Sequence, residues 1–133
     1  MIVLDTNIVL DLFVFEDPAT KPLRSALQEK KLRWIATADM RNELERVLAY
    51  PQIIKSMAHH QRNATEVLAH FDALVEVQQV APKASVTCKD PDDQKFIDLA
   101  VTHRAILLSK DKAVLCMQKR LLALGVQAQA AMK

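Results

Sequence analysis

The sequence predicts an α/β protein in three layers, with helices on both faces of a central, mostly parallel sheet of four or five strands. Three observations predict it. Short apolar runs rich in β-branched residues recur between longer stretches of helical periodicity, and strands separated by helices imply a parallel sheet covered on both sides. The chain has 133 residues, 50% hydrophobic and 26% charged, enough to bury a core without disulfides or a structural metal. It holds a single Gly, too few for the turns of an all-β architecture or for a glycine-rich phosphate loop.

Each element follows from its residues. Positions 2–4 are wholly apolar and read as a strand buried on both faces. Residues 7–15 carry Ile8, Val9, Leu12 and Phe13 at helical spacing, and a second helix is expected from about 19 to 30 with Leu23 and Leu27 on one side. A strand follows at 32–36. Thr37 is placed to cap the next helix, whose apolar stripe is Met40, Leu44, Val47 and Leu48, until Pro51 interrupts it. Residues 53–73 read as mostly helical, 74–80 alternate like a strand, and 82–89 read as a loop.

Asp90-Pro91-Asp92-Asp93 then opens a helix that runs to about 104: a side-chain cap, Pro at the first helical position, and acids in the first turn. Residues 105–108 form another buried strand, 112–124 a helix that stops at Gly125, and 126–129 an edge strand. No linker, repeat or low-complexity segment divides the chain, so a single domain over 1–133 is expected.

Composition excludes several classes of function. Eighteen Lys and Arg against 16 Asp and Glu give a net charge of +2, too slight to mark a nucleic-acid binder by electrostatics alone. Cys88 and Cys116 form neither a metal-spaced pair nor a CxxC redox motif, which favours a reducing compartment. The N-terminus lacks a basic region and meets Asp5 at once, unlike a secretory signal. No apolar run approaches the ~20 residues that span a bilayer. A soluble, cytoplasmic protein without membrane contact is expected.

The acids are the informative anomaly. Ligands of an open parallel sheet bind beyond the carboxyl ends of its strands. Asp5 follows the first strand, Asp111 follows the strand at 105–108, and Glu43 and Asp93 lie in the first turns of helices that start at the same edge. At ~100° per residue, Asp93 falls within the stripe of Phe96, Ile97, Ala100 and Val101, while Asp98 points the opposite way and Asp92 lies off it. An inward ionised carboxylate is expensive unless paired or bound to metal. Asp90 is better read as a cap, and Asp111 either caps the last helix or joins the acidic edge. Lys89, Lys95, Lys110 and Lys112 flank the last two segments and could meet RNA phosphates. His59, His60, His70 and His103 lie away from these segments.

Four segments carry a resemblance: Ile2-Val3-Leu4-Asp5-Thr6-Asn7, Glu43-Leu44-Glu45-Arg46-Val47-Leu48, Asp90-Pro91-Asp92-Asp93-Gln94-Lys95-Phe96 and Leu107-Leu108-Ser109-Lys110-Asp111. In order and spacing, along nearly the whole chain, they resemble the PIN-domain ribonucleases, and most of all the toxins of toxin–antitoxin pairs. The resemblance implies that Asp5, Glu43, Asp93 and Asp111 are the catalytic, metal-binding acids. It implies that Asn7 and Ser109 are supporting polar residues, the latter more often Thr in the family. Lys110 stands where the family usually has a small residue, and it either crowds the metal site or contacts a substrate phosphate. The tail from 127 to 133 departs from the family's usual ending.

The activity so implied is a divalent-metal-dependent endoribonuclease using one or two Mg²⁺ or Mn²⁺ ions on single-stranded or structured RNA, a toxin neutralised by a cognate antitoxin, with homodimers implied as well. Oxygen ligands without His or Cys suit those ions. A catalytically weak or inactive PIN-like module that binds RNA or protein is the alternative. A dehalogenase-like phosphatase, which also places Asp after its first strand, would have a second Asp where this chain has Asn7.

Overall fold

A computed structural model describes residues 1–132; Lys133 lies outside the described residues. Strand β1 (Ile2–Leu4) is buried throughout. It pairs in parallel with β2 (Trp34–Ala36) on one side and β4 (Ile106–Leu108) on the other, with Ile2 opposite both Trp34 and Ile106. β3 (Val75–Val77) extends β2, and β5 (Ala128–Gln129) extends β4, also in parallel. The five-stranded order is therefore β3-β2-β1-β4-β5. The chain steps outward from β1 through β2 and β3, then crosses to β4 and β5. The order reverses between β1 and β4, the place where open α/β sheets form their ligand crevice. The sheet is parallel in every pairing, as the alternation of strand and helix predicts.

Helices cover both faces: α1 (Thr6–Phe13), α2 (Lys21–Gln28), α3 (Ala38–Leu48), α4 (Pro51–His59), α5 (Ala64–Leu74), α6 (Gln94–His103), α7 (Lys112–Leu115) and α8 (Gln118–Ala123). Among the described residues, no helix is long and apolar enough to cross a membrane. The α3 stripe packs inward through Met40, Leu44 and Leu48, with Val47 only half-buried. The Thr37 hydroxyl accepts from the Met40 N–H at 3.4 Å, as its capping position predicts. Tyr50 is extended (φ −67, ψ 138) because it precedes Pro51, which then occupies the first position of α4. In the core Trp34 meets Phe71 edge-on at 5.1 Å.

Four expected helices are interrupted; the one at 90–104 begins as a 3₁₀ turn, Pro91–Asp93, before α6. The stretch 19–30 begins as a 3₁₀ turn, Pro18–Thr20, before α2. The stretch 53–73 breaks at Gln61, which adopts φ +57. Asn63 then caps α5: its Oδ1 accepts from the Glu66 N–H at 2.9 Å, and its Nδ2 donates to Glu66 Oε1 at 2.8 Å. That reciprocal cap is written in the sequence as Asn63-Ala64-Thr65-Glu66. The stretch 112–124 divides at Cys116-Met117 into α7 and α8. Beyond α8, Gly125 holds φ +85, and a Cβ there would stand 3.4 Å from the Arg104 side chain. Arg104 itself ends α6 in the left-handed region, φ +50.

Candidate metal centre

The site begins with the direction of the strands. Asp5 leaves β1 with its N–H bound to the Leu108 carbonyl at 2.9 Å. It stands at the N-cap of α1 in extended conformation, yet its side chain makes no capping bond. Its carboxylate faces Ser109 instead, whose Oγ donates to Asp5 Oδ2 at 2.6 Å. Ser109 follows β4 and is wholly buried. The same hydroxyl oxygen accepts from the Asp111 N–H at 3.0 Å. One side chain thus orients the acids that follow two adjacent strands. Asp111 caps α7, with Oδ1 accepting from the Ala113 N–H at 2.9 Å. The sequence left cap and edge acid as alternatives, and the residue sits at both positions.

Asp93 arrives from the 3₁₀ turn Pro91–Asp93, just ahead of α6. Asp90 caps that turn through the Asp92 N–H at 3.0 Å, in keeping with its reading as a cap. Asp93 is 6% exposed, and its Oδ2 is buried without a hydrogen-bond partner. Each of Asp5, Asp93 and Asp111 offers an oxygen within 4.8 Å of the others.

Burial and mutual repulsion govern the protonation of this triad. Burial raises the Asp5 carboxyl above the usual range, against the lowering effect of the Ser109 hydrogen bond. Asp93 is pushed up to about 8 by burial first, then by its hydrogen bond with Asp111 and the charges of Asp5, Asp111 and Asp90. Asp111 is lowered because Asp93 and the Ala113 N–H both donate to it. A proton between Asp93 and Asp111 relieves the crowding in the protein alone. A cation would relieve it more completely, since a buried carboxylate oxygen without a donor is costly. The orphaned Oδ2 of Asp93 and the all-oxygen donor set fit a hard divalent ion such as Mg²⁺ or Mn²⁺.

Glu43 stands beside this triad rather than within it. Its Oε2 accepts from the Thr6 hydroxyl, and its Oε1 is ion-paired with Lys95 Nζ at 2.7 Å. Lys95 is therefore turned onto an acid, and Lys110 onto another: its ammonium meets Asp11 Oδ2 at 2.5 Å. Lys89 and Lys112 are exposed. Asn7 places a buried Oδ1 without a partner in the first turn of α1.

Two participants escaped the sequence reading. Thr6, next to Asp5, holds Glu43. Asp11 is buried among Val9, Leu10, Leu12 and Phe13, and an acid inside so apolar a helix was its available signal. Asp98 points away from the triad, as helical phase predicts, but it is not idle. Its Oδ1 accepts from the Ala84 N–H at 2.9 Å and from Gln94 Nε2 at 2.8 Å, fastening the 82–89 loop to α6.

The family model for the PIN domain matches residues 1–113 of this chain. No curated protein matches it.

Proposed function

The chain belongs to the PIN-domain family, a family of nucleases, and from that premise we propose that it is a divalent-metal-dependent endoribonuclease. The reading is carried by one observation: three inward carboxylates converge within 4.8 Å at the sheet's reversal point, one of them with a buried oxygen that no protein donor satisfies. Asp5, Asp93 and Asp111 would hold the ion. Mg²⁺ or Mn²⁺ there supplies a more acidic water and positive charge against the phosphodiester. The chain's own part is to hold the acids in place: Ser109 orients Asp5 and Asp111, and the helix caps at Asp90 and Asp111 set the two flanking turns. A module that only bound RNA or protein would gain nothing from three carboxylates held in mutual repulsion, and this favours cleavage over the non-catalytic alternative.

The substrate we propose is single-stranded or structured RNA, approached across an edge that also carries the exposed Lys89 and Lys112. We further propose a toxin role, in which a cognate antitoxin protein covers the acidic edge, and a homodimer in a cytoplasmic setting. The test is incubation of purified protein with short RNAs in Mg²⁺, Mn²⁺ or EDTA. Cleavage in either metal, lost in EDTA and in Asp93→Asn, is expected. RNA left intact in both metals by folded protein would overturn the assignment. For the toxin role, induction alone should slow the host, and co-expression of an adjacent small open reading frame should restore growth.

A further inference from the structure

We infer that Lys95 is a resident cation of the acidic centre, holding Glu43 in the place of a second divalent ion, so that the site takes one metal. The inference deepens the metal-dependent reading above and rests on it. Its basis is how Lys95 and Glu43 are anchored. The Lys95 ammonium contacts Glu43 Oε1 at 2.7 Å and the Asp92 carbonyl at 2.6 Å, and it lies 5.1 Å from the centroid of the Phe96 ring. Glu43's other oxygen is already bound to the Thr6 hydroxyl. Both carboxylate oxygens are therefore engaged. The side chains of Lys95 and Glu43 are 26% and 16% exposed. An ordinary surface pair of this protein, Arg33–Glu76, is 61% and 45% exposed.

Two-ion centres place their cations about 3.5–4 Å apart and share carboxylates between them. Here the triad of Asp5, Asp93 and Asp111 can surround one ion. Glu43 is the remaining acid whose charge is felt at Asp5. A second divalent ion drawing on Glu43 would have to expel an ammonium gripped at two oxygens and an aromatic face, or stand against its like charge. An ammonium has three donors. Two are engaged by Glu43 and the Asp92 carbonyl, and the third remains for a non-bridging phosphate oxygen. Lys95 thereby keeps a part in substrate binding without being a free surface lysine.

The experiment is a count of Mn²⁺ per chain by calorimetry, with folding followed by circular dichroism. Wild type should bind one ion. Lys95→Gln should bind two, because Glu43 becomes a free donor, while Lys95→Arg and Glu43→Gln should stay at one. Two ions per wild-type chain would overturn the inference even if every variant failed to fold. So would a single ion in folded Lys95→Gln, or in Lys95→Met made for the same purpose. No binding by wild type would instead overturn the metal-dependent reading on which the inference stands.

Discussion

Ser109 and Asp5 lie 104 positions apart, and the hydroxyl of the first donates to the carboxylate of the second at 2.6 Å inside the protein. The bond ties the carboxyl end of β4 to that of β1, and the same oxygen receives the Asp111 N–H. Ser109→Ala should leave that partly buried N–H without its acceptor and buried Asp5 without its donor. A stability loss of about 1–3 kcal/mol is expected. A fall of roughly 10–100-fold in Mn²⁺ affinity should accompany it, the usual effect of removing a group that orients a metal ligand. Urea titration and Mn²⁺ calorimetry measure the two, and unchanged affinity would remove Ser109 from the site.

The raised Asp93 carboxyl predicts a pH dependence with a definite sign. Folding lifts it from an ordinary value near 4 to about 8. Between those values the folded state binds more protons than the unfolded one, so stability in EDTA should fall as pH rises through that window. The raised Asp5 acts in the same direction, and the lowered Asp111 against it. Asp93→Asn should flatten the slope, and at neutral pH it should melt no lower than wild type, since it relieves repulsion. A slope identical in Asp93→Asn and wild type would count against this proton assignment.

Metal binding should run the other way with pH. Its ligands must be deprotonated, so apparent Mn²⁺ affinity should rise about tenfold per pH unit up to about 8 and level off above it. The readout is the rise in melting temperature at fixed Mn²⁺ across pH. A shift that survives intact in the double variant Asp5→Asn, Asp93→Asn would place the ion elsewhere.

Asp92 and Asp98, the neighbours of Asp93, should respond differently from it and from each other. Asp92 is exposed and not within the triad. Asp92→Asn should cost only a dipole contribution of roughly 0.3–1 kcal/mol and leave cleavage intact. Asp98→Ala strips acceptors from the Ala84 N–H and Gln94, and about 1–3 kcal/mol is expected. Proteolysis of the 82–89 loop should quicken in that variant. Activity lost without stability lost should appear at Asp93 alone.

Gly125 stops α8 at φ +85 with Arg104 packed where a Cβ would lie. Gly125→Ala should therefore destabilise by about 1–2 kcal/mol through the left-handed backbone. The Arg104 side chain can move aside, so the backbone cost should dominate, and a denaturant midpoint equal to wild type would contradict it.

Much of this architecture was legible because it depends on local order. Apolar triplets such as Ile2-Val3-Leu4 can be buried on both faces only in a covered sheet. Asp90-Pro91 writes its turn through side-chain capping and a fixed φ. The inward phase of Asp93 follows from its spacing to Phe96 and Ile97, and Asp5 and Asp111 follow from their places after strands. The break at Gln61 is missed by reading 53–73 as one helical stretch, although the Asn63–Glu66 cap was its available signal.

What the sequence by itself determined is thus which segments become strands and helices, and which acids must face one edge of the sheet. Which partner each charged side chain takes was decided only by tertiary structure. Glu43 is engaged by Thr6 from 37 positions away and Lys95 from 52, and Lys110, in the loop after β4, is turned onto Asp11 of α1. Periodicity fixes the direction in which a side chain leaves its own element, and it contains no distance to any other. A long ammonium side chain can reach several acids, and the crossing of α1, α3 and α6 selects among them. Burial then makes that choice costly to reverse, because a carboxylate that loses its donor in the interior keeps the full desolvation penalty.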